Sequence, residues 1–241
     1  MILEICASNY QSAINAQNAG AQRIELCSEL AIGGITPSYG LIQQTVEALS
    51  IPVFVLIRPR SGNFTYTDSE FEIMKHNIKL CKELGCSGIV SGVLNADNTI
   101  DIIRTQELIA LAKPLPFTFH RAFDWTPNPS EAIKQLIIIG ADRVLTSGQA
   151  SSAEQGLDVL SDLKTEVNDK IIILPGGGIN SGNIKHFKNK GFIEAHASAT
   201  TISQVNNQPK VAMNSVKFFD ETVNVTSDII KIKDILNTIK N

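Results

Sequence analysis

Two short phrases near the start of the chain, Leu3-Glu4-Ile5-Cys6 and Arg23-Ile24-Glu25-Leu26-Cys27, each set a glutamate two residues before a cysteine. Side chains two apart in a strand share a face, so each phrase offers a carboxylate and a thiol to the same space. A buried ionised carboxylate is costly unless it is paired or wet, so Glu4 and Glu25 need a polar setting. Burial and a neighbouring carboxylate can bring such a group toward neutrality, where it can move protons. Two thiols side by side suit a soft ion such as Cu(I), with His120 or His196 as further donors.

Polar residues also close other apolar runs. Arg58 follows Val53 to Ile57, His120 and Arg121 follow Phe117 to Phe119, Ser147 follows Arg143 to Thr146, and Glu194 shares a face with His196. The candidate catalytic set is Glu4, Glu25, Arg58, His120 and Arg121. The competing reading is a buried ion network, Glu4 and Glu25 with Arg58 or Arg121, that only holds the fold together. In Pro175-Gly176-Gly177-Gly178-Ile179-Asn180 the missing Cβ atoms let backbone N–H groups approach an anion, and a helix predicted to open near Ser181 would add its dipole. Ser147 and Ser198 are candidate further anion-binding donors beside Gly176, Gly177 and Gly178.

These residues need a scaffold that gathers distant strand ends. Eight β-branched or apolar runs are predicted as strands: Ile2 to Cys6, Arg23 to Leu26, Val53 to Arg58, Gly88 to Ser91, Phe117 to His120, Arg143 to Thr146, Ile171 to Leu174 and Ile193 to Ala197. Amphipathic stretches lie between them. Ser8, Ser38, Thr67 or Asp68, and Asn128 followed by Pro129 are the expected helix starts; Gly20, Gly85 and Gly140 are the expected stops. Gly20-Ala21-Gln22-Arg23-Ile24 and Gly140-Ala141-Asp142-Arg143-Val144 are nearly one repeated phrase. Alternating units over 241 residues, with no linker-like stretch, predict an α/β fold: a (β/α)8 TIM barrel forming one domain over 1–241. An open doubly wound sheet would want a Gly-rich loop after the first strand, where Cys6-Ala7-Ser8-Asn9 stands.

Period-two alternation points Leu3, Ile5, Ile24 and Leu26 outward to helices, leaving Glu4, Cys6, Arg23, Glu25 and Cys27 inside, with both glutamates expected at the barrel mouth. Adjacent strands run ~4.8 Å apart, so the Cys6 and Cys27 sulfurs can meet, although barrel shear staggers them. Cys81 and Cys86 read as packing, and His76 and His186 as solvated. Residues 203–225 lack periodicity, with Thr226 or Ser227 expected to cap a closing helix from Asp228 to about Lys240.

Composition excludes several classes of function. The 21 basic and 24 acidic residues give a net charge of -3 with no long basic run, which argues against nucleic acid or an anionic membrane surface as partner. Apolar runs fall far short of the ~20 residues that span a bilayer. With no secretory signal in view, the chain reads as cytoplasmic, with reduced cysteines and no structural zinc. The expected partners are a copper ion or a small anionic metabolite, and no organic cofactor is expected.

LEIC, AGAQRIELCSELAIGGITPSYGLI, VFVLIRPRSGNFTY, FTFHRAFD, RVLTSGQ and LPGGGIN followed by EAHASA, in this order from Met1 to about Thr200, together resemble the CutC family, named for copper homeostasis. The resemblance implies a cytoplasmic TIM-barrel protein, commonly a homo-oligomer (dimer or tetramer), with Cys6 and Cys27 as Cu(I) ligands. The chain departs from the family phrase at Ser61-Gly62-Asn63, where Gly-Gly-Asp is expected, and at Asn77, where an aspartate is usual. The alternative to copper handling is a TIM-barrel enzyme acting on a small phosphorylated or otherwise anionic metabolite.

Overall fold

The computed structural model describes residues 1–205, 210–211 and 222–240. Eight parallel strands follow one another around a barrel: β1 (Ile2–Ala7), β2 (Arg23–Leu26), β3 (Val53–Leu56), β4 (Gly88–Ser91), β5 (Phe117–Phe119), β6 (Arg143–Thr146), β7 (Ile172–Pro175) and β8 (Glu194–Ala197). Each pairs with its neighbour in sequence, and β8 pairs with β1. Across the remaining seam, between β7 and β8, the described pairing is a single bridge, Gly176 to His196. The fold is a TIM barrel, as the alternating units require.

Helices α1 (Tyr10–Ala19), α2 (Tyr39–Ala48), α3 (Asp68–Glu83), α4 (Ile102–Ala112), α5 (Pro129–Ile139), α6 (Leu157–Val167), α7 (Ile184–Asn189) and α8 (Ile229–Lys240) clothe the sheet. Local chemistry sets their ends. Thr67 and Glu70 form a reciprocal capping box on α3, Asn128 caps α5 with Pro129 at its first turn, and Gly20 and Gly140 close α1 and α5 in the left-handed region. The cap of α1 is Asn9 rather than Ser8, because the Asn9 side chain accepts from Ser12 N–H at 2.8 Å.

Outward residues such as Leu3, Ile5, Ile24, Val55 and Val144 join the helices in one continuous core. Inside the barrel a second, small cluster joins Cys6, Cys27, Phe54, Leu56 and Val90. Cys81 and Cys86 are buried packing, and His76 and His186 are exposed.

Part of the stretch expected to be irregular is a two-stranded antiparallel hairpin, β9 (Thr200–Gln204) and β10 (Val223–Ser227); the rest of 203–225 lies largely outside the described residues. The hairpin packs on α1 through Asn9 Nδ2 to Val225 O and Asn15 Nδ2 to Ser227 O, both 2.9 Å. Thr226 and Ser227 therefore belong to a strand, and Asp228 starts α8 by accepting from Ile230 N–H at 2.7 Å.

Candidate functional site

Barrel shear sets the first layer. Glu4 is level with Arg23 on one side and His196 on the other, so the carboxylate meets a cation and an imidazole on neighbouring strands. Arg23 donates to Glu4 and to Glu194, Arg143 Nε donates to Glu194 Oε2 at 3.2 Å, and both guanidinium carbons lie about 5 Å from the Phe54 ring centre (4.8 and 5.0 Å). These residues stand in the N-terminal half of the strands and form a floor. Glu4 is fully buried there, one layer below the mouth to which its strand position assigned it. Its carboxyl is held down to about 2: burial opposes ionisation, but the His196 hydrogen bond and Arg23 outweigh it. The arginines that answer the buried glutamates are thus Arg23 and Arg143, while Arg58 and Arg121 serve elsewhere.

Above the floor opens a cavity of about 270 Å3 at the C-terminal ends of the strands. Cys6, Glu25, Arg58, His120, Arg121, Gly177, Gly178, His196 and Ser198 all reach its wall. Glu4, Cys27, Ser147 and Gly176 do not.

Cys6 Sγ lies 3.6 Å from Cys27 Sγ, with Cys6 at the cavity and Cys27 fully buried behind it. Contact with Cys27 and burial push the Cys6 thiol well up, so it is a protonated thiol in the resting site. His196 Nδ1 sits 2.7 Å from Glu4 Oε1 and 3.8 Å from Glu25 Oε2, and contacts with Cys6 and the two carboxylates push its pKa well up against the opposing effect of burial. Glu25 is pushed up to about 7 by burial, which outweighs the attraction of His196. Its Oε2 has no hydrogen-bond partner among the described residues. Glu4, Glu25 and His196 present donor atoms within 4.8 Å of one another, but Glu4 is already committed to Arg23 and His196.

On the opposite wall, His120 accepts from Ala122 N–H through Nδ1 at 3.2 Å. The proton therefore resides on Nε2, which is buried with no hydrogen-bond partner among the described residues. Burial and nearby Arg58 hold the His120 pKa down to about 3, so the ring is neutral at pH 7. Gly92 leaves the space for it: a Cβ there would lie 2.8 Å from the imidazole. Phe64 packs on the same ring, with centroids 4.9 Å apart, and covers the Arg58 guanidinium at 5.0 Å. Arg58 donates to the carbonyls of Ile32, Gly34 and Gly62, each at 2.8 Å, and so pins the loops of the mouth.

Arg121 is half-exposed and aimed by Asp124, which accepts from Nε at 2.8 Å, and by Ser147, which accepts from Nη2 at 3.0 Å. Ser147 donates onward to Ala150 O at 2.7 Å, so this hydroxyl holds the arginine in place. Gly177 and Gly178 take φ values of 108° and 78°, open to glycine at little cost. The Gly178 N–H is committed to no other backbone or side-chain acceptor among the described residues, while Gly177 and Ser198 flank the bridge between Gly176 and His196. Gly176 instead donates to Thr146 O at 2.9 Å and helps close the barrel. The expected helix at Ser181 starts only at Ile184, because Asn180 and Asn183 side chains fold 180–183 into tight turns.

The CutC family model matches residues 1–201. The chain belongs to the CutC family. A copper homeostasis protein cutC homolog of Homo sapiens is 40% identical over 244 residues, spanning 100% of this chain and 89% of that protein. A family protein CutC of Chromobacterium violaceum is 45% identical over 199 residues, 82% of this chain and 81% of the relative. Among solved structures, a CutC from Streptococcus agalactiae superposes with a TM-score of 0.78 at 34% identity, covering 82% of this chain and 98% of that one. The family match ends within β9, so the hairpin and α8 lie mostly beyond it.

Residue types and strand positions point to most of the cavity wall. They do not single out Phe64, Asp124 or Thr146. Asp124 carries the only sequence signal, lying three residues after Arg121 as a carboxylate can when it aims an arginine in a tight turn.

Proposed function

We propose that the chain handles Cu(I) as cargo, held by Cys6 and Cys27 at the base of the cavity with His196 as third donor. The observation that carries this is the 3.6 Å separation of the two sulfurs, one at the cavity and one buried behind it. The donor set fits a soft ion. With metal–thiolate bonds of about 2.3 Å, as for zinc, sulfurs at this separation subtend roughly 100° at the metal, an angle that leaves room for the imidazole. The copper homeostasis name of the human relative supports the same reading. A reducing, cytoplasmic setting that keeps both thiols available belongs to this proposal, as does a homo-oligomeric state.

Competition against a Cu(I) chelator tests it. The Cys6→Ser, Cys27→Ser double variant is expected to lose tight binding, and binding as tight as in the parent would end the proposal. Because the Cys6 proton must leave, affinity is expected to rise with pH.

One observation favours a second reading, an enzyme or binding protein for a small anionic metabolite. The cavity is far larger than one ion fills, and its far wall carries Arg121 with the glycine backbone at Gly177 and the uncommitted N–H of Gly178. Inorganic phosphate that raised the melting temperature of the parent but not of Arg121→Gln would support this reading.

A further inference from the structure

We infer that the mouth of the barrel recognises a small phosphorylated hydroxy-carbonyl compound at three points: phosphate at Arg121, Gly177 and Gly178, carbonyl oxygen at His120 Nε2–H, and hydroxyl at Glu25 Oε2. This rests on the anionic-metabolite reading above and adds the chemistry of the rest of the ligand.

Buried polar atoms in folded proteins almost always have partners, so the exceptions are informative. Three of them, Glu25 Oε2, Arg58 Nε and His120 Nε2, belong to residues 5% exposed that line this one cavity. Arg58 already spends its other N–H groups on three loop carbonyls, whereas the glutamate and the histidine are complementary: one offers an acceptor and the other a donor. The donor is fixed in kind, because Ala122 N–H occupies Nδ1, and fixed in place by Phe64 and by the absence of a side chain at Gly92. A neutral N–H suits a carbonyl oxygen; a second phosphate oxygen would be served better by a cation.

The anionic end of the ligand has its own wall. Arg121 Nη1 makes no hydrogen bond among the described residues, and an atom built at the Cβ position of Gly177 would lie 3.5 Å from it, so cation and glycine backbone face a common space. Arg121 and the glycine backbone thus draw the phosphate to their own wall, which leaves the hydroxyl for Glu25 on the other. Cys6 and His196 border the Glu25 side, and the recognition uses neither thiol.

The experiment is calorimetric titration of the metal-free full chain with four probes: dihydroxyacetone phosphate, glycerol 3-phosphate, inorganic phosphate and unphosphorylated dihydroxyacetone. Dihydroxyacetone phosphate is expected to bind at least tenfold more tightly than inorganic phosphate and more tightly than glycerol 3-phosphate, which lacks the carbonyl. His120→Leu is expected to lose about tenfold toward dihydroxyacetone phosphate and nothing toward inorganic phosphate. Inorganic phosphate binding as tightly as dihydroxyacetone phosphate to the parent would overturn the three-point recognition and leave the anion reading standing. Absence of binding by all three phosphate probes would remove both, whether or not any variant folds.

Discussion

At the floor of the barrel, both carboxylates, Glu4 and Glu194, are engaged at every oxygen by Arg23, Arg143 and His196. At the mouth, one layer above, Glu25 and His120 each keep a buried polar atom with no hydrogen-bond partner among the described residues, and Arg121 reaches half into solvent. The two layers use the same residue types within a few strand positions. What separates them is satisfaction of polar groups: a complete network is finished as structure, whereas an incomplete one at a cavity wall is shaped for something that arrives. Arg143 Nη1 and Thr118 Oγ1, level with each other on adjacent strands, are exceptions at the floor, and Arg143 has the Phe54 ring as neighbour.

The sharpest way to break this contrast is Arg23→Met. Removing one partner of a buried network leaves Glu4 and Glu194 uncompensated and is expected to cost about 3–5 kcal/mol in urea unfolding. A cost under about 1 kcal/mol would place Arg23 outside any stabilising role.

A comparable effect appears only in acid for His120. Its folded pKa of about 3 lies below the ordinary value of 6.5, so the folded protein binds fewer protons than the unfolded chain between those values. Stability tied to this ring is present above pH 6.5 and lost as pH falls toward 3, on the order of 5 kcal/mol in all. His120→Leu should flatten that part of the melting temperature against pH curve relative to the parent. A parallel curve would show the ring to be wetter than its burial indicates.

The smallest effect is expected at Arg121. Arg121→Gln should change stability by less than about 0.5 kcal/mol, as surface substitutions usually do, while weakening phosphate binding. A large stability loss with unchanged phosphate binding would move Arg121 from the mouth class to the floor class.

Much of this contrast is legible in the order of residues alone. Period-two alternation turns Glu4, Cys6, Arg23, Glu25 and Cys27 inward, and apolar runs ending in Arg58, His120 or Arg121 mark the rim. The layer to which an inward residue belongs is not legible, because shear, a relation between strands, decides it. It sets Glu4 level with Arg23 but Cys6 level with Glu25, and so divides two similar phrases between floor and mouth. The hairpin escapes notice for a different reason: β9 is exposed along most of its length, and a strand with little buried on either face leaves no alternation to read.

The single pairing between Gly176 and His196 makes the cylinder a split ring, compliant in the hoop direction along one line. His196 stands at that slit and Gly177 immediately beyond it, so an occupant that filled the cavity from wall to wall would touch both lips. Loading the site is expected to clip the slit shut, slowing deuterium uptake along β7 and β8 as it fills.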